Sequence, residues 1–399
     1  MTEKATGVIL SDTTLRDGEQ TYGIVFTNEQ KLQIASLLNQ AGVTEIEAGF
    51  PASGGYEGEY LDELVSRRRD GLLACRILGW HRPIPAEIDW SRKRGMDGCC
   101  ASIPSSEFMI ANVLRKDRSF VLKAMTDAMR HGKSLDLYMV ADFQDAFSAD
   151  PVFRMELIAA VREAGADRIR LCDTVGRTDP ISVQRILQEV WEQEDIDIEV
   201  HAHNDLGMAA ANAVVGARTY LDLKESGKIS GARKYFVSTA VNGIGERAGN
   251  AALEVVTAAM ELTLNVDTGI DMTRFHELCH YVQVAADRPL PVNHPVVGDN
   301  NWRHSSGIHV DGVLKALNTY ELISPELVGR DASARTIGVS KHSGRVALKT
   351  NANRLGFEMT EKQLEELLPM IAARTVEAGR YLTDEELSII IRAKLGKGF

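Results

Sequence analysis

The chain has 399 residues, of which 44% are hydrophobic and 25% charged, with a formal net charge of -11. These proportions are typical of a globular protein, and the length suits one large domain with an appendage. The acidic balance without a basic run disfavours nucleic acid or a membrane surface as partner, and the lack of a signal-like or membrane-length apolar segment predicts a cytoplasmic protein.

The predicted elements alternate between strand and helix. The first apolar run, residues 8–10, ends in the charged sequence DTTLRDGEQ, Asp12–Gln20, and a helical pattern follows at residues 28–39. Seven more apolar runs of strand length occur at 43–50, 72–80, 99–103, 135–143, 167–174, 196–203 and 234–242. Eight strands each followed by a helix predict an α/β fold, a (β/α)8 TIM barrel.

An open doubly wound sheet is the alternative. No GxGxxG sequence opens the first helix, and polar residues cluster at the carboxyl ends of strands one, five, six, seven and eight. Both features favour closure into a barrel, because the strand ends then meet at one mouth.

The polar stretch 223–234 precedes the eighth strand and predicts a surface insertion.

The alternation ends after a last helical pattern at residues 251–264. We therefore predict a TIM-barrel domain in residues 1–265, a linker with a helix in 266–306, and an α-helical C-terminal lid subdomain in 307–399. The five cysteines have no CxxC spacing. They are expected to be buried reduced thiols.

Three polar run ends predict a metal site. His201 and His203 are two residues apart on a strand, so both side chains point to one face. Asp17 adds a carboxylate from the first strand, and Asn242 or Asn250 adds an amide oxygen from the eighth. Strands one, seven and eight are neighbours in a closed barrel, and this mixture of nitrogen and oxygen ligands suits Mg²⁺, Mn²⁺ or Zn²⁺.

Arg16 precedes the predicted ligand Asp17 and stays protonated at any working pH. A salt bridge at the barrel rim is one role for it. Beside a metal, Arg16 is better interpreted as a group that stabilises an oxyanion developing on the substrate.

Four motifs, DTTLRDGEQ, HAHNDLGMAAAN, NGIGERAGN and SGIHVDG, together resemble the acyl-CoA condensing enzymes of the DRE-TIM metallolyase superfamily, the isopropylmalate, citramalate and homocitrate synthases. CDTVGRTDP, SIPSSE and VSKHSGR look most like homocitrate synthases of the nitrogen-fixation type. The resemblance implies an acyltransferase that performs a metal-dependent Claisen-type condensation. Acetyl-CoA and a 2-oxo acid would give a 2-hydroxy-2-carboxymethyl acid and CoA.

The resemblance also implies roles for single residues at the barrel mouth. Asp17, His201 and His203 would bind the divalent metal, with Asn250 as fourth ligand. Arg16 would polarise the keto oxygen of the substrate.

Further roles are implied for residues beyond the metal. Thr174 would hold the α-carboxylate of the keto acid. His309 would take a proton from the acetyl-CoA methyl group with help from Asp311, and Tyr320 would lie near the thioester. Because the segment with His309 reaches over the partner's barrel in such enzymes, a homodimer is implied as well.

The chain departs from the family pattern after the fifth strand. Gln144 and Ser148 stand in the substrate-binding stretch where the family usually has a carboxylate and an arginine, and Cys100 and Met109 stand where homocitrate synthases commonly have histidines. An arginine at the position of Ser148 would pair with the far carboxylate of 2-oxoglutarate, so its loss puts that substrate in doubt.

The keto acid therefore stays open at this point. The remaining basic candidates near the mouth are His81, Arg82 and Arg170, with surface exposure as the alternative for the first two. Specificity of the 2-phosphonomethylmalate, citramalate or isopropylmalate synthase type is possible. Two other classes compete: a metal-dependent C–C lyase or aldolase, disfavoured because GIGERAGN contains no cysteine, and a non-catalytic keto-acid-binding paralogue.

Overall fold

A computed structural model describes residues 7–396, which form two compact units divided between Pro289 and Leu290. The predicted TIM barrel is confirmed, because the first unit contains eight parallel strands that close in chain order. Closure occurs where the eighth strand pairs with the first, from Val8 opposite Tyr235 to Asp12 opposite Thr239.

The barrel unit has these bounds. Its strands are β1 Val8–Asp12, β2 Glu45–Gly49, β3 Arg76–His81, β4 Gly98–Pro104, β5 Tyr138–Gln144, β6 Arg168–Asp173, β7 Asp197–Ala202 and β8 Tyr235–Thr239. Its helices are α1 Asn28–Gln40, α2 Gly55–Arg69, α3 Pro85–Arg94, α4 Glu107–Met109, α5 Arg118–Ser134, α6 Pro151–Glu163, α7 Pro180–Gln193, α8 Ala209–Glu225, α9 Leu253–Leu264 and α10 Phe275–Ala285.

Local capping fixes where several barrel helices begin. Thr27 accepts a hydrogen bond from the Gln30 backbone N–H, and the Gln30 side chain accepts one from the Thr27 backbone, which is a capping box for α1. Helices α6 and α7 each begin with an aspartate cap, Asp150 or Asp179, followed by proline. Proline suits this first position because it has no N–H to leave unpaired.

Two parts of the barrel differ from the sequence pattern. Helix α3 buries only Ile88 and Ser91, so its apolar face is too narrow to give a clear periodicity. The stretch 223–234, predicted as a surface insertion, contributes its first three residues to the last turn of α8. Leu223 is buried there, while most of 226–234 forms an exposed loop.

The barrel interior is partly apolar and partly charged. Leu78, Cys100 and Val140, from β3, β4 and β5, form an apolar cluster. Strands β2, β6 and β7 contribute buried charges to the interior, namely Glu45, Glu47, Arg168, Arg170 and Glu199. Barrel interiors are usually filled by branched apolar side chains, so this charged half is unusual.

The second unit is mainly helical. It contains α11 Gly307–Lys315, α12 Arg345–Arg354, α13 Glu361–Ala378 and α14 Asp384–Leu395, and a short parallel pair, β9 Arg303–His304 with β10 Thr336–Ile337. Its core is an apolar cluster, mostly of leucine and isoleucine side chains, from α12, α13 and α14, together with Val339. The short strand pair is absent from the sequence-based prediction, because two residues are too few for an alternating pattern.

The division between the units falls within 266–306, the segment for which the sequence predicts a linker with a helix. Helix α10 belongs to the barrel unit.

All five cysteines are buried and free, as expected. None of the helices within residues 7–396 combines the length and the apolarity needed to cross a bilayer.

Candidate metal centre at the barrel mouth

The loop after β1 holds Arg16 and Asp17 in a buried turn. The backbone N–H groups of Arg16 and Gly18 both donate to the Thr13 carbonyl, and a 3-10 turn, Gly18–Gln20, follows. Arg16 Nη1 donates to Asp17 Oδ1 at 3.0 Å, and Arg16 Nε pairs with Glu47 Oε1. Arg16 Nη2 donates no hydrogen bond to the described residues, so it is free for a ligand.

The two histidines of HAHND face the Asp17 carboxylate. His201 Nε2 lies 3.6 Å and His203 Nε2 lies 3.5 Å from Asp17 Oδ2. The other ring nitrogens have partners: His201 Nδ1 lies 2.8 Å from Ser238 Oγ, and His203 Nδ1 donates to the Asp173 carbonyl at 3.1 Å. A carbonyl can only accept, so His203 carries its proton on Nδ1 and, when neutral, turns the Nε2 lone pair toward Asp17.

The structure separates the two candidate asparagines. Asn250 Nδ2 donates to Asp17 Oδ2 at 2.6 Å and to the Ile244 carbonyl at 3.0 Å. Asn242 instead donates from Nδ2 to the Cys279 carbonyl at 2.9 Å, on α10. Only Asn250 of these two therefore lies beside Asp17.

The loop around Asn250 is closely packed. Gly245 has a φ of 156°, and a Cβ there would lie 2.1 Å from Asn250 Nδ2 and 3.3 Å from Asp17 Oδ2. Thr21 ties this loop to the loop after β1, because it accepts from the Gly245 N–H at 2.7 Å and donates to the Gly245 carbonyl at 3.1 Å. Glycine is needed here because any side chain would displace the polar groups.

The donor set fits a divalent cation. Ligand atoms of Asp17, His201 and His203 all lie within 4.8 Å of one another, and all three residues are buried. Burial would raise the pKa of Asp17, but Arg16 and the two histidines hold it well below its ordinary value. Burial lowers the pKa of His201 well below its ordinary value. The Nε2 atoms of His201 and His203 both lie within 3.6 Å of Asp17 Oδ2, and a cation between the three groups would satisfy all of them.

Asn250 agrees with this fit. Its Oδ1 is buried and, like that of Asn242, has no hydrogen-bond partner among residues 7–396. A buried amide oxygen without a partner is costly, and beside Asp17 a cation would supply the missing partner of Asn250. Amide oxygen, carboxylate and imidazole together suit Mg²⁺, Mn²⁺ or Zn²⁺.

The keto-acid candidates lie along the ends of β5 and β6. Thr174 Oγ1 accepts from the Asp145 N–H at 2.8 Å, and Gln144 Nε2 donates to Ser102 Oγ at 3.0 Å, which fixes the amide across β4 and β5. Ser148 is exposed on the 3-10 turn Ala146–Ser148 that follows, and its side chain forms no hydrogen bond within residues 7–396.

Each of the three basic candidates has a partner within the barrel unit. His81 is buried, and its Nε2 lies 2.7 Å from Ser91 Oγ on α3, so surface exposure is wrong for it. Arg82 is exposed and pairs with Glu87. Arg170 is fully buried and lies 2.7 Å from Glu47 and 3.0 Å from Glu199.

The positions of the two absent histidines are also clear. Cys100 is buried in the apolar cluster of the barrel interior, and Met109 is partly exposed at the end of α4. Burial raises the pKa of the Cys100 thiol well above its ordinary value, so it stays protonated. Cys100 is therefore no substitute for a histidine base.

The base candidates lie in the second unit. The rings of His309 and Tyr320 stack with centroids 4.0 Å apart and an interplanar angle of 14°. Asp311, expected to assist His309, accepts from Lys315 Nζ at 2.6 Å. His309 is exposed, so its ring is accessible to a thioester.

Several site residues are missing from the sequence-based prediction. Glu47 pairs with Arg16, Ser238 orients His201, and Trp80 lies with its ring centroid 5.9 Å from the Arg16 guanidinium carbon. Charged residues alternate within three otherwise apolar strands, in EIEAG, RIRLCD and DIEVHA. Such a period of two marks one face of each strand and could have indicated the charged interior.

Comparisons with known proteins identify relatives of the chain. A family model described as HMGL-like matches residues 7–282, and one described as homocitrate synthase post-HMGL domain-like matches residues 296–378. The 2-isopropylmalate synthase 2 of Caldanaerobacter subterraneus subsp. tengcongensis is 40% identical and aligns over 98% of this chain and 97% of its own. Homocitrate synthase AksA of Methanopyrus kandleri is 38% identical over 96% and 92%, respectively.

Among solved structures, the HMG-CoA lyase of Brucella melitensis superposes with a TM-score of 0.59. It covers 71% of this chain and 100% of the lyase chain at 18% identity. At that identity the likeness concerns the barrel fold alone.

Proposed function

The chain belongs to the HMGL-like family and carries the post-HMGL domain of homocitrate synthases, and from this premise we propose that it condenses acetyl-CoA with a 2-oxo acid. The acetyl group would become an alkyl group on transfer, giving a 2-hydroxy-2-carboxymethyl acid and CoA. Two relatives of nearly equal identity are named for different products, isopropylmalate and homocitrate, so identity alone does not set the keto acid.

The observation that carries the proposal is the convergence of Asp17, His201 and His203 beside Arg16 at the barrel mouth. Asn250 would be the fourth ligand. A divalent cation bound there would polarise the keto acid through its chelating oxygens. Arg16 Nη2 would donate to the keto oxygen, and it would stabilise the negative charge that this oxygen gains as the new C–C bond forms.

Thr174 would hold the α-carboxylate of the keto acid near the end of β6. Its hydroxyl already accepts from Asp145, so the hydroxyl hydrogen is available to donate to a carboxylate. Gln144 lies one strand away as a neutral amide that donates to Ser102. It would contact the variable end of the keto acid without adding a charge.

The neutral Gln144 amide, paired with the Ser102 hydroxyl, favours a keto acid with a small or branched apolar side group, such as pyruvate or a branched 2-oxo acid. A far carboxylate would need a charged partner, because burying an unpaired carboxylate costs several kcal/mol. Arg82 pairs with Glu87 on the surface, and Arg170 pairs with two glutamates. Trp80 adds an apolar surface close to Arg16.

His309 would remove a proton from the acetyl-CoA methyl group, and Tyr320 and Asp311 would support it. The ring stacking of Tyr320 on His309 supports a shared role. The enolate carbon would attack the keto carbon, and water would then cleave the thioester to release CoA. We further propose a homodimer in which this segment serves the partner's barrel.

The direct test is thiol release from acetyl-CoA in the presence of a divalent metal and a panel of keto acids, with products identified by mass. We expect CoA release with at least one keto acid and a product heavier by an acetate unit. Cleavage of a hydroxyacyl-CoA without condensation would indicate a lyase. Keto-acid binding without turnover would indicate a non-catalytic paralogue.

A further inference from the structure

Six charged side chains of alternating sign form a column through the barrel interior. From the mouth inwards they are Arg16, Glu47, Arg170, Glu199, Arg168 and Glu45. The guanidinium group of Arg170 lies 2.7 Å from Glu47, and that of Arg168 lies 2.7 Å from Glu45. Both arginines also pair with Glu199, each at 3.0 Å from a different carboxylate oxygen. All six side chains are buried.

A column of this kind is not explained by stability alone. Burying ions costs desolvation energy that their attraction barely repays, and apolar side chains of similar volume are often as stabilising. The column is better explained by the positions in which it holds its side chains. The mouth end of the column is Arg16, the group that would donate to the keto oxygen.

Glu47 is the link between the column and Arg16. One of its oxygens, Oε1, pairs with Arg16 Nε and accepts from Thr13 Oγ1 at 3.3 Å, while the other, Oε2, lies 2.7 Å from Arg170 Nη1. Burial raises the pKa of Glu47, but Arg16 and Arg170 together lower it to about 2. The carboxylate is therefore charged and held from two sides.

We propose that Arg170 is a positioning residue for the condensation. By pairing with Glu47 Oε2 it keeps Oε1 on Arg16 Nε, and this leaves Arg16 Nη2 available to the substrate oxygen. Without Arg170, the Glu47 carboxylate would turn both oxygens to Arg16 in a bidentate pair. The inference rests on the proposed function, because it assumes that Arg16 polarises the keto acid.

Arg168 provides a matched control. Like Arg170 it lies on β6, is fully buried, and pairs with Glu199 and one glutamate of β2. In each single variant the glutamate of β2 that loses its β6 arginine still has one cation. Glu47 keeps Arg16 when Arg170 is lost, and Glu45 keeps Arg76 when Arg168 is lost. The two variants therefore each remove one buried positive charge from β6 and differ in the distance of that charge from Arg16.

The experiment compares Arg170→Met, Arg168→Met and Arg170→Lys with the wild-type chain. Thermal unfolding measures stability, and thiol release with the preferred keto acid gives kcat and KM. We expect the two methionine variants to lose similar stability, while Arg170→Met alone loses roughly 10²-fold in kcat, the usual effect of misplacing a catalytic group by about 1 Å. KM for the keto acid should stay within about twofold, and Arg170→Lys should recover part of kcat.

Equal losses of kcat in Arg170→Met and Arg168→Met would overturn the inference, since the column would then be structural only. A rise in KM with unchanged kcat would also overturn it, because Arg170 would then bind substrate directly. If the methionine variants do not fold, the pair Arg170→Lys and Arg168→Lys supplies the same comparison. A wild-type chain that releases no thiol with any keto acid would instead refute the proposed function.

Discussion

Asn250 should matter for metal binding and Asn242 should not, although both belong to the sequence NGIGERAGN. In an Asn250→Ala variant the unpartnered Oδ1 and the hydrogen bonds to Asp17 and Ile244 are lost. We expect metal affinity to fall about 10- to 100-fold, the usual effect of losing a group that binds or orients a metal ligand. The two hydrogen bonds, one of them to a charged group, predict about 2 to 4 kcal/mol lower stability.

Asn242→Ala is the matched control. It removes the 2.9 Å hydrogen bond to the Cys279 carbonyl, and it puts alanine at a φ of 61°, where residues other than glycine and asparagine are strained. These two effects together predict a stability loss of about 2 to 4 kcal/mol, similar to that of Asn250→Ala. Its affinity for metal should be unchanged.

Calorimetric titration of the metal-stripped proteins with Mn²⁺ measures affinity without reference to turnover, and urea unfolding measures stability. Comparable weakening of Mn²⁺ binding in both variants would refute the assignment of Asn250. Stronger weakening in Asn242→Ala would refute it as well, because the ligand would then be the asparagine on the other side of the loop.

Three further predictions concern the base, the pH dependence and the substrate. His309→Ala should leave keto-acid binding nearly intact and lower kcat by roughly 10² to 10⁴; a collapse of keto-acid affinity with turnover preserved at saturation would identify a binding residue. Burial lowers the pKa of His81 from 6.5 to about 4, so its contribution to stability is present above about pH 6.5 and falls as the pH drops toward 4. Urea unfolding should show a loss of about 2 kcal/mol between pH 7 and pH 5 that a His81→Gln variant lacks; equal losses in both would contradict this. Finally, kcat/KM for 2-oxoglutarate should not exceed that of other keto acids; a tenfold preference for it, about 1.4 kcal/mol, would show that Gln144 tolerates a diacid.

The barrel was predictable because its signals are local. Each strand is a short apolar run and most helices have a broad apolar face, so their order predicts a parallel α/β sheet, and the polar residues at the strand ends favour its closure into a barrel. His201, His203 and Asp17 could be grouped because strands one, seven and eight are neighbours in a closed barrel. Helix α3 has too few apolar residues for its periodicity to be visible.

Other features depend on the three-dimensional arrangement. Asn242 and Asn250 are equivalent in sequence terms, and a left-handed turn at Asn242 decides which one lies beside Asp17. Glu47 and Arg170 lie on strands far apart in the chain, so their pairing follows from barrel closure and register. Spacing in the sequence cannot supply either contact.

The orientation of His81 follows from strand alternation once the register is known. Trp80 lies near Arg16, so the next residue points outwards to Ser91 on α3. Sequence alone leaves open where β3 ends, and with it which of the two residues faces the mouth. This is why the buried position of His81 corrects the surface alternative.

Condensation is expected to depend on a divalent metal held by Asp17, His201, His203 and Asn250. The most direct measurement is thiol release from acetyl-CoA by protein stripped with a chelator, with metal removal verified, before and after Mg²⁺ or Mn²⁺ is added back. We predict that activity is lost on stripping and restored by the metal in the wild-type chain, but not in a His203→Ala variant. Full activity of the verified metal-free protein would contradict the claim.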